Sequence, residues 1–299
     1  MARPGHLAEF GHEHNDLPMS EIPQLHAAQV LKQFGLWAAK GLGQNFLEDP
    51  AALQQIADAA RIMPSDTVLE IGPGLGSLTR YLAAAAREVV AVELDAKFLP
   101  VLRSLLKAQR NVRIVQGDML GLSPAELDLP EGYVVAANIP YNITSALLRH
   151  LLGSDPRPKR MVVTVQKEVA RRICSAPPDM SLLALSVQVY GKPSIEADIP
   201  AEAFYPVPKV DSAVVRVELY PEPVIEQRLL PAFFGLMKAG FAQKRKMLRN
   251  ALAGGLHMSP GEASSLLQQA GIDPQRRAET LDLKEWERLT NARLAGTAS

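Results

Sequence analysis

Four short apolar runs, each ending on a residue able to hold a ligand, constrain this chain more than any other feature. Thr67 to Ile71 (TVLEI) leads into Gly72-Pro73-Gly74-Leu75-Gly76-Ser77 and then a helix-like stretch from Leu78 to Ala86. Glu88 to Val92 (EVVAV) ends at Glu93, Val112 to Gln116 (VRIVQ) at Gly117-Asp118, and Tyr133 to Ala137 (YVVAA) at Asn138. Short runs rich in β-branched residues, broken by turns and helical segments, predict an α/β fold with a mostly parallel, Rossmann-like sheet. In open sheets of that kind ligands bind beyond the carboxyl ends of the strands, so Gly72, Glu93, Asp118 and Asn138 should meet there.

The glycine turn lets backbone approach a ligand, and the helix after it offers unpaired N–H groups. It departs from the dinucleotide fingerprint: counting from Gly72 the sixth position is Ser77, and Gly76 stands one place early, which argues against NAD. Glu93 lies at the distance from the first glycine at which such folds place a ribose-binding acid, and Asp118 can accept from the amino group of an adenine ring. At the fourth strand end stands Asn138-Ile139-Pro140-Tyr141. An aromatic amine is a poor nucleophile because its lone pair is delocalised into the ring. The Asn138 side-chain oxygen and the Ile139 carbonyl can accept both amine hydrogens and turn the lone pair outward. Pro140 fixes φ and removes a donor, while Tyr141 offers a flat surface for an extruded base. Together these residues read as an S-adenosylmethionine site, with Gly72 and Gly74 in its turn, beside an acceptor site for an exocyclic amine.

With those residues in view, the chain resembles the ribosomal RNA adenine N6,N6-dimethyltransferase family from about Lys40 to Asn250. The resemblance starts at Gly43-Gln44-Asn45-Phe46-Leu47, where Asn45 and Leu47 match positions that touch the methyl donor. Asp49-Pro50 follows and reads locally as a helix N-cap with a first-turn proline. The likeness continues through Asn142-Ile143-Thr144-Ser145, Val165 to Arg172 (VQKEVARR), Phe204 to Ser212 (FYPVPKVDS) and Phe241 to Asn250 (FAQKRKMLRN). Phe204 matches a position that packs on the target base opposite Tyr141. The segment Ala176 to Ser181 (APPDMS) departs from the Gly-Ser-Lys-x-Tyr pattern of relatives. The resemblance implies a class I S-adenosylmethionine-dependent methyltransferase fold with a small C-terminal helical domain. It also implies methylation of N6 on two adjacent adenosines near the 3′ end of 16S rRNA, with the small ribosomal subunit as partner and no metal. Related alternatives are a large-subunit rRNA adenine methyltransferase that confers antibiotic resistance, a mainly non-catalytic ribosome-assembly factor, and a DNA adenine methyltransferase.

The expected organisation is an N-terminal extension over 1–36, a catalytic domain over 37–220 and a helical RNA-binding domain over 221–299. Gln24 to Trp37 has the apolar spacing of a short docked helix. Ser212 to Tyr220 alternates like a half-exposed antiparallel strand, and Pro221-Glu222-Pro223 marks a boundary. Leu229 to Leu252 reads as one long amphipathic helix, Ser259-Pro260-Gly261-Glu262 as a capping box, and Asp282 to Glu285 as another helix start. The net formal charge is zero, so the distribution has to carry any argument about RNA. Three clusters stand out as a phosphate-binding rim: Lys244, Arg245, Lys246 and Arg249; Lys167, Arg171 and Arg172; and Arg157, Lys159 and Arg160. Cys174 is the single cysteine, expected buried and inert. His6, His12, His14 and His26 fall in the first 36 residues, and His12 with His14 and Glu13 is a weak metal candidate. No run reaches the length of a membrane span, so a cytoplasmic monomer is the expectation.

Overall fold

The structure, a computed structural model, describes residues 22–38, 43–141 and 143–296. His6, His12, Glu13, His14, Lys40 and Asn142 lie outside the described residues. Nine strands occur among them: β1 Phe46–Leu47, β2 Thr67–Ile71, β3 Glu88–Glu93, β4 Val112–Gln116, β5 Val134–Asn138, β6 Arg160–Gln166, β7 Gly191–Ile199, β8 Phe204–Tyr205 and β9 Ser212–Leu219. Seven form one sheet in the order β4-β3-β2-β5-β6-β9-β7, and β1 pairs with β8 in a separate ribbon. The first five strands of that order run parallel; β9 is antiparallel to both β6 and β7.

Central strands β2, β5 and β6 are buried almost throughout, because helices cover both faces and a parallel strand then needs apolar residues at every position. The first run coincides with β2, the fourth strand lies one residue later than expected, and the helix after the glycine turn spans Ser77–Ala85. Strand β9 is antiparallel as expected but interior. Ser212 to Val215 are all buried, and Arg216 is neutralised by Glu196 of β7 and Glu218 of its own strand. Alternation in the sequence suggested a solvent face; a neighbouring strand supplies the counter-charge instead.

One core face of the sheet continues without interruption into the C-terminal helices, joining Val163, Val215 and Leu185 to Phe233, Leu252 and Trp286. Those helices are Leu230–Phe241, Leu248–Leu256, Pro260–Gln269 and Leu283–Ala295. The last two begin with the two capping boxes, Ser259 with Glu262 and Asp282 with Glu285. The single helix expected over 229–252 is broken after Phe241. Its two parts fold back so closely that a Cβ on Gly255 would lie 2.5 Å from the Ala239 Cβ. Folding back buries Leu236, Met237, Leu248 and Leu252, which a straight helix would leave half exposed. The opposite face of the sheet packs on the helices Pro50–Ala60 and Ser77–Ala85. Asp49 caps the first of these, accepting from the Ala52 N–H, with Pro50 in the first turn. The helix Ala27–Gln33 docks through Val30 and Leu31 on a third cluster containing Phe46, Phe98 and Leu102. No helix among the described residues is long and apolar enough to cross a membrane.

Candidate active site

Strand order reverses between β2 and β5, the place where an open α/β sheet leaves a crevice at its carboxyl edge. The glycine turn follows β2 and Asn138 ends β5, so the two motifs face each other across that crevice. A single cleft is lined by Asn45, Leu47, Gly72, Gly74, Glu93 and Asp118, and by all four residues Asn138 to Tyr141. The turn takes left-handed φ values at Gly72 and Gly74, 68° and 57°. A Cβ on Gly74 would come within 3.0 Å of the Phe46 ring. Glu93 fastens the turn from the next strand: its Oε2 accepts from the Gly74 N–H at 3.0 Å and its Oε1 from the Asp95 N–H at 2.8 Å. Burial holds its pKa above the ordinary value against those two hydrogen bonds. Each oxygen keeps a further lone pair for a ligand hydroxyl. Asp118 is exposed on the rim and caps its own turn by accepting from the Leu120 N–H.

Glu70 completes the cleft wall and was not among the residues expected there. It is 2% exposed in the middle of β2, and its Oε2 has no hydrogen-bond partner among the described residues. Burial, above all, pushes its pKa to about 8, with the Thr79 hydroxyl opposing and Glu93 adding to the rise. The signal was present in the sequence as one carboxylate inside an apolar run two positions before Gly72. A buried carboxyl with one oxygen left unpaired is costly and favours a cationic or donating ligand.

On the acceptor side, Asn138 Nδ2 donates to the Asn45 backbone carbonyl at 3.0 Å. This fixes the amide and leaves Oδ1 as the acceptor at the cleft wall, so the chain segment before β1 orients the group that would grip an amine. The Tyr141 hydroxyl is 2.8 Å from Ser212 Oγ, and burial raises the Tyr141 pKa with that hydrogen bond opposing. Ser212, fully buried at the start of β9, anchors the ring. Phe204 lies elsewhere than expected. It is 2% exposed in the core cluster beside Leu47, its register partner in the β1–β8 ribbon, and it backs the cleft rather than lining it.

The basic clusters differ in kind. Lys244, Arg245 and Lys246 are exposed on the turn between the helices Leu230–Phe241 and Leu248–Leu256, not on a helix face, and Arg249 is half-buried just beyond. Arg171 and Arg172 are exposed, while Lys167 pairs with Asp198 at 2.7 Å. The third cluster is structural. Lys159 pairs with the buried Asp66 at 2.6 Å, Arg160 with Glu218 at 2.7 Å and with the Ala60 carbonyl, and Arg157 lies over the Tyr190 ring and donates to Pro221. These three join strands and loops, with Lys159 still exposed at its ion pair. Ala176 to Ser181, the segment that departs from the relatives' pattern, ties into the C-terminal helices through the Met180 N–H to the Glu279 carbonyl, and Ser181 caps the helix Leu182–Gln188. Cys174 is half-buried, and burial pushes its thiol up to about 11. Its thiolate is therefore scarce at neutral pH.

A sheet of this order, carrying a glycine turn and an Asn-Ile-Pro-Tyr strand end on the two sides of its crevice, defines a class I methyltransferase fold. The profile of the ribosomal RNA adenine dimethylase family matches residues 37–293, and the chain belongs to that family. It is 48% identical over 267 residues to a ribosomal RNA small subunit methyltransferase A of Dehalococcoides mccartyi, covering 88% of this chain and 91% of that protein. The enzyme of the same description from Alkaliphilus metalliredigens is 38% identical, over 87% of this chain and 93% of its own. Among solved structures, a dimethyladenosine transferase from Plasmodium falciparum superposes with a TM-score of 0.70 at 26% identity, covering 82% of this chain and 95% of the other. The 23S rRNA methyltransferase ErmE superposes with 0.67 at 29%, covering 83% and 99%.

Proposed function

We propose that the chain methylates N6 of two adjacent adenosines near the 3′ end of 16S rRNA during small-subunit biogenesis, using S-adenosylmethionine. The observation that carries this reading is the single cleft that holds the glycine turn, Glu93 and Asp118 on one side and Asn138 to Tyr141 on the other. The residues fit the donor: backbone N–H groups at the turn, Glu93 for ribose hydroxyls, Asp118 for the adenine amine, Asn45 and Leu47 at the entry, and Glu70, with its unpaired Oε2, for positive charge. When bound, S-adenosylmethionine supplies a methyl group on a good leaving group, so no covalent enzyme intermediate is required.

The chain's own work is then positioning and electrostatics. Asn138 Oδ1, aimed by the Asn45 carbonyl, and the Ile139 carbonyl accept the two amine hydrogens and expose the lone pair. Tyr141, held by Ser212, supports one face of the base; Phe204 would reach the other face only by leaving its core position. A strong general base is unnecessary because the amine acquires acidity as the new bond forms and loses its proton late. The helical part over 221–299 presents Lys244, Arg245, Lys246 and Arg249 to phosphates of structured RNA. The similarity to ErmE raises the large-subunit alternative. The curated relatives at 38–48% identity, named for the small subunit, favour the first reading, and a donor cleft with its full residue set weighs against a mainly non-catalytic factor.

The test is incubation with labelled S-adenosylmethionine and small subunits from a strain lacking the dimethylation, with labelled nucleotides mapped by mass spectrometry. Dimethyladenosine at two adjacent 3′-proximal positions is expected. Label confined to large-subunit rRNA would reassign the substrate, and tight subunit binding without transfer would make the chain an assembly factor.

A further inference from the structure

A second groove is lined by Lys167, Glu168, Arg171, Lys209, Val210 and Asp211, together with Gln166. Its connection to the active cleft is direct. Asp211 precedes Ser212, whose Oγ holds the Tyr141 hydroxyl at 2.8 Å, and the Lys167 N–H donates to the Asp211 carbonyl at 3.0 Å. Gln166, the last residue of β6, is the register partner of Ser212. Ser212, adjacent to Asp211 and paired in register with Gln166, therefore links the groove lining to the ring that lines the cleft.

Chemically the groove is mixed. Asp198 neutralises Lys167, but no ion pair joins Arg171 or Lys209 to a described carboxylate, and both are exposed. Glu168 is an exposed acceptor, and Val210 in the lining is an apolar side chain 46% exposed. Two free cations, an acceptor carboxylate and an exposed apolar side chain suit a nucleotide of single-stranded RNA: cations for phosphate, an acceptor for a 2′-hydroxyl or an exocyclic amine, and an apolar contact for the base.

We propose that this groove is a second nucleotide subsite, holding the nucleotide that directly flanks the adenosine in the cleft, with Arg171 and Lys209 on its phosphates. The proposal rests on the methyltransferase reading and adds to it Lys209 and Val210. By gripping the neighbour, the subsite sets which of two consecutive bases enters the cleft.

The experiment compares the wild-type chain with R171A/K209A and the charge-conserving R171K/K209R, using small subunits lacking the dimethylation as substrate. In the alanine variant the KM for subunits should rise about tenfold or more. The slope of log KM against log salt should fall by roughly 1.4, since a single-stranded phosphate contact contributes about 0.7. Donor affinity, measured by calorimetry, should stay at the wild-type value, and R171K/K209R should restore most of the KM. Wild-type KM and salt slope in R171A/K209A, or a loss confined to kcat, would overturn the subsite while leaving the methyltransferase reading intact. Absence of transfer by the wild-type chain to any small subunit would instead sink the reading on which the subsite rests.

Discussion

Glu70 should tie donor binding to proton release, and the expected size of the effect follows from its position. Burial inside β2 pushes its pKa to about 8, so at pH 7 about nine-tenths of the empty sites carry it protonated. A donor bearing a sulfonium and an ammonium adds positive charge to a cleft whose wall includes Glu70, which draws the carboxyl back toward its ordinary range. Binding should then release about 0.9 proton at pH 7 and about 0.1 at pH 9, and donor affinity should climb with pH up to about 8 and then level off. The same group costs stability. Because its folded pKa is raised, the destabilisation is absent below the unfolded value near 4.5 and grows as pH rises toward 8, reaching roughly 3 kcal/mol at pH 7. Calorimetry of donor binding in buffers of different ionisation enthalpy counts the protons directly. In Glu70→Gln the release should vanish, affinity should lose its dependence on pH below 8, and the fall in Tm from pH 5 to 8 should flatten. Binding enthalpies at pH 7 that do not depend on the buffer would refute the reasoning, and so would undiminished proton release in the Gln variant.

Four further outcomes are expected. Asn138→Ala should lower kcat by about 10² to 10³, the range for loss of one preorganised polar group, while calorimetry shows donor affinity nearly unchanged; parallel loss of affinity would mean that Asn138 serves the donor instead. Ser212→Ala should lower kcat by about tenfold by freeing the Tyr141 hydroxyl, and adding Tyr141→Phe should cost little more, which a double-mutant cycle on kcat reads directly. Phe204→Leu keeps most of the core volume and should retain transfer if the side chain only backs the cleft, whereas Phe204→Ala should cost about 3–5 kcal/mol in denaturant unfolding. Arg160→Ala should lower stability by about 1–3 kcal/mol and leave the salt dependence of RNA binding unchanged. The triple change of Lys244, Arg245 and Lys246 to Ala should do the reverse, flattening that salt dependence at constant Tm.

The sheet and the donor side of the cleft were readable because strand ends are local features. An apolar run terminated by Gly72, Glu93, Asp118 or Asn138 states both the strand and the residue it presents, and parallel topology then gathers the four ends. Glu70 is not legible for a related reason: inside TVLEI it looks like one polar position of a strand, and only helix cover on both faces makes it a buried acid with an unpaired oxygen. The anchors of the acceptor side were beyond reach because they are distant in sequence. Asn138 depends on a carbonyl 93 residues away and Tyr141 on a hydroxyl 71 residues away, and neither Asn45 nor Ser212 carries a local mark of that role. Phe204 shows the converse, a residue matched by its motif whose side chain the ribbon turns into the core.

Charge was the least legible property, for a reason that bears on any neutral RNA-binding chain. Arg157, Lys159 and Arg160 look in the sequence like Lys244, Arg245 and Lys246, yet the first three are spent on Asp66, Glu218 and backbone carbonyls and the second three face solvent. A cation already paired with a half-buried carboxylate must break that pair before it can meet a phosphate, and the unpaired acid left behind raises the cost further. The cations that contribute to RNA affinity are therefore those that folding leaves without a carboxylate. Among the clustered cations, that criterion retains Arg171 and Arg172 with Lys209 beside the cleft, and the turn after Phe241 in the helical part, as the candidates. It excludes Lys159 and Arg160, while Arg157 is held only by a carbonyl and an aromatic ring, so a salt-dependence series over single Lys and Arg substitutions should divide along the line between carboxylate-paired and unpaired side chains, whatever their spacing in sequence.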